Sequence, residues 1–220
     1  MLTALELYDA LLAEHGKPRW WSDNPYEVMC EAVLVQNTAW SNVEKTRAAI
    51  GERLTPQYIA AMLQGELEQL IRPCGFYTAK ARTIKALTEW YGKYGYDPAQ
   101  VKTIATQRLR NELLSLRGIG AETADVILVF CFYRPSFIVD AYTRRLLARL
   151  GVEVSDDAAI KAFFEEGLPK DAYLYGWFHW LILEHCISVC KKTPICDACR
   201  LGGDPGHSCP DRRIASDFPK

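Results

Sequence analysis

Apolar side chains recur at three- and four-residue intervals along most of the chain. Leu5, Tyr8 and Leu12 begin the series, and the same spacing predicts helices over roughly 78–92, 106–116, 121–133, 140–150, 156–167 and 171–188. No stretch alternates apolar and polar residues convincingly, and no segment repeats, so the pattern predicts an all-α fold. Start signals agree with it. Asn24-Pro25 and Thr55-Pro56 each pair an N-cap residue with proline at the first helical position. Ser41-Asn-Val-Glu44 has the spacing of a capping box, in which each side chain bonds the other residue's backbone amide. The helical texture ends near Lys191. Pro194, Gly202, Gly203, Pro205, Gly206 and Pro210 follow with few apolar residues among them, so this segment needs something other than a core to order it.

Cysteine placement supplies a candidate. Cys30, Cys74 and Cys131 are scattered through apolar surroundings and read as buried thiols, whereas Cys186, Cys190, Cys196, Cys199 and Cys209 crowd together just where the helical pattern stops. Cys190-x5-Cys196-x2-Cys199-x9-Cys209 offers four thiolates, suited either to tetrahedral zinc or to an iron–sulfur cube. Cys186 lies one helical turn before Cys190 and is read as a structural thiol, with a substitute metal ligand as the alternative. The rest of the composition is that of an ordinary globular protein, with 49% apolar and 24% charged residues among 220, which excludes disorder as a description of the chain. The longest apolar run, Val126 to Tyr133, is far short of the roughly 20 residues of a membrane-spanning helix. The first residues carry Glu6, Asp9 and Glu14 and do not read as a signal peptide, so the expected location is the cytoplasm, with no membrane partner. A formal charge of −1 advertises no polyanion, and any phosphate-binding surface must be local.

Two segments could supply such chemistry. Leu113-Leu-Ser-Leu-Arg-Gly-Ile-Gly120 joins two predicted helices by a Gly-Ile-Gly turn. Gly118 and Gly120 let a partner approach the backbone, Ile119 can plug the gap between helices, and the second helix presents amides and its positive dipole end to an anion. The segment suits a phosphate clamp, and it equally suits a tight helix–helix corner. In Phe137-Ile-Val-Asp140-Ala-Tyr-Thr-Arg144-Arg145, Asp140 stands where a helix should start. It is an N-cap by position, and a capped carboxylate can also face a substrate and stabilise developing positive charge. Arg144 and Arg145 suit either a solvated face or phosphate contacts.

Together these pieces resemble a known family. Leu116-Arg-Gly-Ile-Gly-Ala-Glu-Thr-Ala124 followed by Val139-Asp140 is similar to the helix-hairpin-helix and catalytic aspartate of the endonuclease III superfamily of DNA glycosylases. Ala32-Val-Leu-Val-Gln-Asn-Thr38 resembles the segment whose glutamine enters the DNA stack. Cys74-Gly-Phe-Tyr-Thr-Ala-Lys-Ala81 resembles the family's GxYxxKA turn, and Leu181-Ile-Leu-Glu-His185 with the cysteines stands in the place of its iron–sulfur loop. The likeness runs over about residues 20–210. It implies a two-lobed helical protein, with residues 22–130 in one lobe (the hairpin at about 107–130) and residues 1–21 plus 131–220 in the other, carrying the cluster loop at 186–209. Double-stranded DNA containing a damaged base is the implied partner, a [4Fe-4S] cluster on Cys190, Cys196, Cys199 and Cys209 the implied cofactor with zinc as alternative, and a monomer the expected state. Asp140 is implied as the catalytic carboxylate, Gln36 as the residue that fills the vacated stack, and Lys80, Gly118, Ile119, Gly120 and Arg144 as contacts near the DNA backbone.

Two departures from the family pattern carry information. Members that also cut the strand place a lysine two residues after the Gly-x-Gly. Here that place is Glu122, which has no amine to form a Schiff base, so lyase activity is expected to be absent or weak. The cluster spacing is usually C-x6-C-x2-C-x5-C, whereas this chain has x5 first and x9 last. Trp20-Trp21, Gln36-Asn-Thr-Ala-Trp40 and Ile138-Val-Asp-Ala-Tyr-Thr-Arg144 resemble the 3-methyladenine glycosylase branch, in which aromatics at the places of Trp20 and Trp40 sandwich the extruded base. An alkylated purine is cationic and stacks well on indoles, although the tryptophans also suit core packing. The expectation is therefore a monofunctional DNA glycosylase acting on an alkylated purine. The alternatives are a bifunctional or mismatch-specific enzyme on the same scaffold and a non-catalytic DNA-structure binder.

Overall fold

A computed structural model of the chain describes residues 2–202. Among the described residues the regular structure is helical throughout: α1 (Ala4–His15), α2 (Pro25–Leu34), α3 (Trp40–Ile50), α4 (Pro56–Ala61), α5 (Gln64–Leu70), α6 (Tyr77–Gly92), α7 (Pro98–Lys102), α8 (Thr106–Leu114), α9 (Ala121–Phe132), α10 (Ala141–Arg149), α11 (Asp157–Gly167) and α12 (Ala172–Ser188), with short 3-10 turns between some of them. The chain divides into two compact units, one from Trp21 to Arg134 and one made of the residues up to Trp20 and from Pro135 onward.

The Trp21–Arg134 unit holds α2 to α9. Its centre is α9, buried without interruption from Thr123 to Phe132, which explains why that segment is apolar on all sides instead of amphipathic. Helix α2 packs along it and buries every residue from Val28 to Leu34, Glu31 included. The starts of these helices follow from local sequence. Asn24 Oδ1 accepts from the amides of Tyr26 and Glu27 ahead of Pro25, and Thr55 caps Tyr58 ahead of Pro56. The box expected at Ser41 and Glu44 does not form. Helix α3 begins two residues earlier than that box requires, at Trp40, with Ala39 as a cap that offers no side-chain acceptor. Ser41 is thereby already inside the helix, and the local side-chain bond runs from Asn42 Nδ2 to Thr38 Oγ1 at 3.0 Å. A capping box forms instead at Thr3 and Glu6 of α1.

The other unit holds α1, α10, α11 and α12. Phe137 and Phe164 stack with centroids 3.8 Å apart, and Phe178 meets both rings edge-on. Leu7, Leu11 and Leu181 close this core. Burial of each such side chain contributes about 1.5–3 kcal/mol. Helix α1 turns Ala4, Leu7 and Leu11 inward. Leu5 is exposed and Tyr8 and Leu12 are half-buried, so the helix reads correctly from the sequence but its buried stripe lies one position away from the one the leading apolar residues suggest. The reason is the shape of the partner: Tyr8 reaches the Phe178 ring from the rim of the interface, edge-on at 5.3 Å.

Candidate functional site

The hairpin between α8 and α9 is held by long-range contacts. Gly118 adopts φ +93°, and a Cβ there would stand 2.1 Å from Thr83 Oγ1 of α6. That hydroxyl lies 3.1 Å from the carbonyl oxygens of both Ala79 and Arg117, so α6 presses directly on the turn and only glycine fits. Ile119 is buried, as a plug should be. Gly120 caps α9, and a Cβ on it would meet nothing, leaving open space before the first turn of a helix that starts with Ala121 and Glu122. Arg110 of α8 donates to both carboxylate oxygens of the buried Asp125 of α9, at 2.8 and 3.3 Å, locking the two hairpin helices together.

Gln36 belongs to this assembly. Its Nε2 donates to Gly118 O at 3.2 Å and Thr123 Oγ1 at 2.9 Å, tying the segment after α2 to the hairpin. Trp40 stands 41% exposed at the start of α3. Trp21 braces it edge-on at 5.6 Å, backed in turn by Phe130 at 5.4 Å. The Trp21 indole N–H donates to Glu31 Oε2 at 2.7 Å. Burial pushes the Glu31 carboxyl above its ordinary value, against the opposing pull of the Trp21 bond and Arg47. Lys80 departs from its expected place near a DNA backbone. Its side chain is buried, and Nζ donates to Leu34 O at 2.9 Å and Cys74 O at 2.7 Å. The ammonium joins the end of α2 to the turn before α6, and burial lowers its proton affinity.

The second unit supplies Asp140. It caps α10, its Oδ1 accepting from Thr143 N at 2.7 Å and Thr143 Oγ1 at 2.8 Å, while Oδ2 takes no part in the cap. Two bonds to one oxygen fix the carboxylate's orientation. His179 of α12 answers to this charge: burial lowers its basicity and the Asp140 carboxylate partly restores it. Arg144 is engaged by Asp157 in a bidentate pair with both distances 2.6 Å. Trp20 packs on Tyr173 at 4.7 Å, and Tyr173 on Trp177 at 5.9 Å, giving an aromatic row with Lys17 Nζ 4.4 Å from the Trp177 centroid. Tyr173, Trp177 and His179 carry no motif, and their only signal in the sequence is the aromatic density of α12. Trp20 and Trp40 belong to different units.

Cysteine chemistry occupies the end of the same unit. Cys190 Sγ lies 3.2 Å from Arg149 Nη1, and Arg149 also donates to the carbonyls of Cys190, Lys191 and Lys192, so one guanidinium fixes the start of the loop. A hydrogen bond from Cys186 and the nearby Arg149 charge draw Cys190 toward its thiolate. The same bond, with burial, keeps Cys186 protonated. A donor set of this kind fits a cation bound at Cys190 with Cys186 as a supporting thiol. Cys196 and Cys199 flank a 3-10 turn and are half-buried. Cys209 lies outside the described residues. Among the described residues, the group of three or more His, Cys, Asp or Glu donors gathered within 4.8 Å is Glu14, His15 and His185, not three cysteines. Thiolates on one zinc stand about 3.8 Å apart, given bonds of about 2.3 Å, whereas a cube places several metal atoms between its sulfurs.

The HhH-GPD superfamily of base excision DNA repair proteins matches this chain over residues 30–170. The chain belongs to that superfamily. A protein of Methanocaldococcus jannaschii named as a DNA repair glycosylase is 42% identical over 203 residues, covering 89% of this chain and 92% of its own. Endonuclease III of Thermotoga maritima is 31% identical over 185 residues, 81% of each chain. Among solved structures, an endonuclease III in non-covalent complex with DNA superposes with a TM-score of 0.80 at 26% identity, over 99% of this chain and 100% of its own. The 3-methyladenine DNA glycosylase MagIII of H. pylori, bound to 1,N6-ethenoadenine, gives 0.73 at 28% identity over 84% and 97%. The chain is thus a DNA glycosylase of the HhH-GPD family, and the hairpin, Gln36 and Asp140 lie in or beside the matched span.

Proposed function

We propose that this HhH-GPD glycosylase is monofunctional, hydrolysing the N-glycosidic bond of an alkylated purine extruded from duplex DNA. The observation that carries the reading is Glu122 in the first turn of α9, directly behind Gly118-Ile-Gly120. A carboxylate there cannot attack a sugar as an amine does. Nor does Lys80 stand in for it, since both of its contacts are backbone carbonyls inside the Trp21–Arg134 unit. Asp140, held by Thr143 through one oxygen, stabilises the oxocarbenium-like sugar and assists the attacking water. The open space at Gly120 and the N-terminal amides of α9 receive a phosphate. Gln36 fills the stack that the base leaves, and the exposed face of Trp40 stacks on a cationic purine. The likeness to the H. pylori enzyme supports the alkylpurine reading. Cys190, Cys196, Cys199 and Cys209 hold a [4Fe-4S] cluster, which supplies order to the loop after α12 and no step of the hydrolysis.

Base release from a duplex containing 3-methyladenine, run beside strand-cleavage and borohydride-trapping assays, tests this. The expected result is free base and an intact strand with no covalent adduct. Trapping of an adduct would overturn the monofunctional half, and release of oxidised pyrimidines in preference to methylated purines would overturn the substrate half.

A further inference from the structure

The end of α1 and the end of α12 meet in a buried cluster that the glycosylase chemistry does not use. His15 Nε2 lies 3.2 Å from His185 Nδ1, His185 Nδ1 lies 3.5 Å from Glu14 Oε2, and His15 Nε2 lies 3.7 Å from Glu14 Oε1. The side chains of Glu14 and His15 are 9% and 10% exposed and that of His185 is fully buried. Glu14 Oε2 is itself buried and accepts no hydrogen bond. Protons alone serve these atoms poorly. A single proton can lie between the two facing ring nitrogens, and the carboxylate oxygen then has none, which is costly for a charged group removed from water.

We propose that Glu14, His15 and His185 bind a divalent cation of the zinc class, at a site separate from the cysteine loop. Zinc bonds of about 2.0–2.1 Å to nitrogen and about 2.0–2.2 Å to oxygen place tetrahedral donors about 3.3–3.5 Å apart. The ring nitrogens stand 3.2 Å apart and His185 Nδ1 lies 3.5 Å from Glu14 Oε2, both close to that edge, while the 3.7 Å contact of His15 is with the other carboxylate oxygen. Two imidazoles and one carboxylate suit zinc and neighbouring transition ions and leave a fourth position for water. The ion pins the last turn of α1 to α12. It also reaches the cysteine loop through one ring: with Nδ1 of His185 on the metal, the proton must sit on Nε2, and Nε2 lies 3.7 Å from Cys199 Sγ. His185 then donates to that sulfur and steadies it as a thiolate.

The native protein, cluster in place, is first dialysed against EDTA and then titrated with zinc chloride, with iron and zinc measured per chain. One zinc per chain is expected in addition to the iron. X-ray absorption at the zinc edge should show imidazole and oxygen neighbours and no sulfur at about 2.3 Å. His15→Ala and Glu14→Gln should each bind zinc at least tenfold more weakly while keeping the iron and the helical circular dichroism of wild type, and Cys196→Ser should retain the zinc. The isosteric Glu14→Gln change keeps the test valid if His15→Ala fails to fold. Absence of zinc binding in the wild type, sulfur in the zinc shell, or undiminished zinc binding by Glu14→Gln would overturn the site. None of these results bears on base release, which tests the glycosylase reading by itself.

Discussion

Asp140 caps α10 through Oδ1 only, so the catalytic role proposed for it can be tested without removing the cap. Asparagine keeps an oxygen for the Thr143 amide, so Asp140→Asn should fold normally. On the proposed mechanism the change removes the charge that stabilises the sugar, and single-turnover base release should fall by about 3 kcal/mol or more in transition-state stabilisation, with duplex binding equal or tighter. A variant with near-normal release would remove Asp140 from catalysis. Gly118 carries a purely steric role. Gly118→Ala places a methyl on Thr83 Oγ1 in a left-handed backbone conformation, and denaturant titration should show a loss of roughly 2–4 kcal/mol. Adding Thr83→Ala should recover the part due to the clash and leave the part due to backbone strain. Full additivity of the two changes would mean that the turn relaxes away from α6.

At the level of elements, α2 and α3 present Trp40 through Trp21 and the buried Glu31. The Glu31 carboxyl is raised above its unfolded value by burial. The native state therefore holds a proton that the unfolded state releases, between the unfolded value near 4.3 and the raised one, and stability falls as pH rises through that window. Glu31→Gln should lack this component, so its stability relative to wild type should improve from pH 4 to pH 8. A constant difference across that range would show that Glu31 titrates normally. The hairpin helices offer a second test. Arg110→Met leaves the buried Asp125 charge without its bidentate partner and should cost roughly 2–3 kcal/mol in urea unfolding, discounted because the Arg110 side chain is 24% exposed. Arg110→Met combined with Asp125→Leu should recover most of it.

For the whole molecule, Arg149 holds the start of the loop after α12, and on the proposed reading a metal cluster orders the rest. The purified protein should be brown and contain iron. Cys190→Ser or Cys196→Ser should lose iron and melt earlier, whereas Cys186→Ser should keep it, since the Cys186 thiol already donates to the Tyr142 carbonyl at 3.6 Å. Elemental analysis and thermal melting of the three variants check this. Zinc without iron in the wild type would replace the cluster and leave the four-cysteine loop standing.

Local sequence determined the helices and most of their starts. Asn24, Thr55 and Asp140 declare themselves because a cap bonds an amide two or three residues away, and the Gly-Ile-Gly turn because its requirement is conformational. The same short-range signals carried the family, whose motifs keep their order along the chain. Ser41 failed for a local reason as well, a helix start displaced by two residues. Tertiary structure decided the partners. Nothing near Lys80 in sequence says that two carbonyls, one 46 residues away, would take its ammonium into the interior, nor that Asp157 would occupy Arg144. Glu14 and His15 read as an unremarkable helix end until α12 brings His185 to them from 170 residues away. A pattern of residues fixes that a segment is helical; packing fixes which stripe of it is buried, as the inward turn of Ala4, Leu7 and Leu11 shows, and which charge or lone pair it meets there.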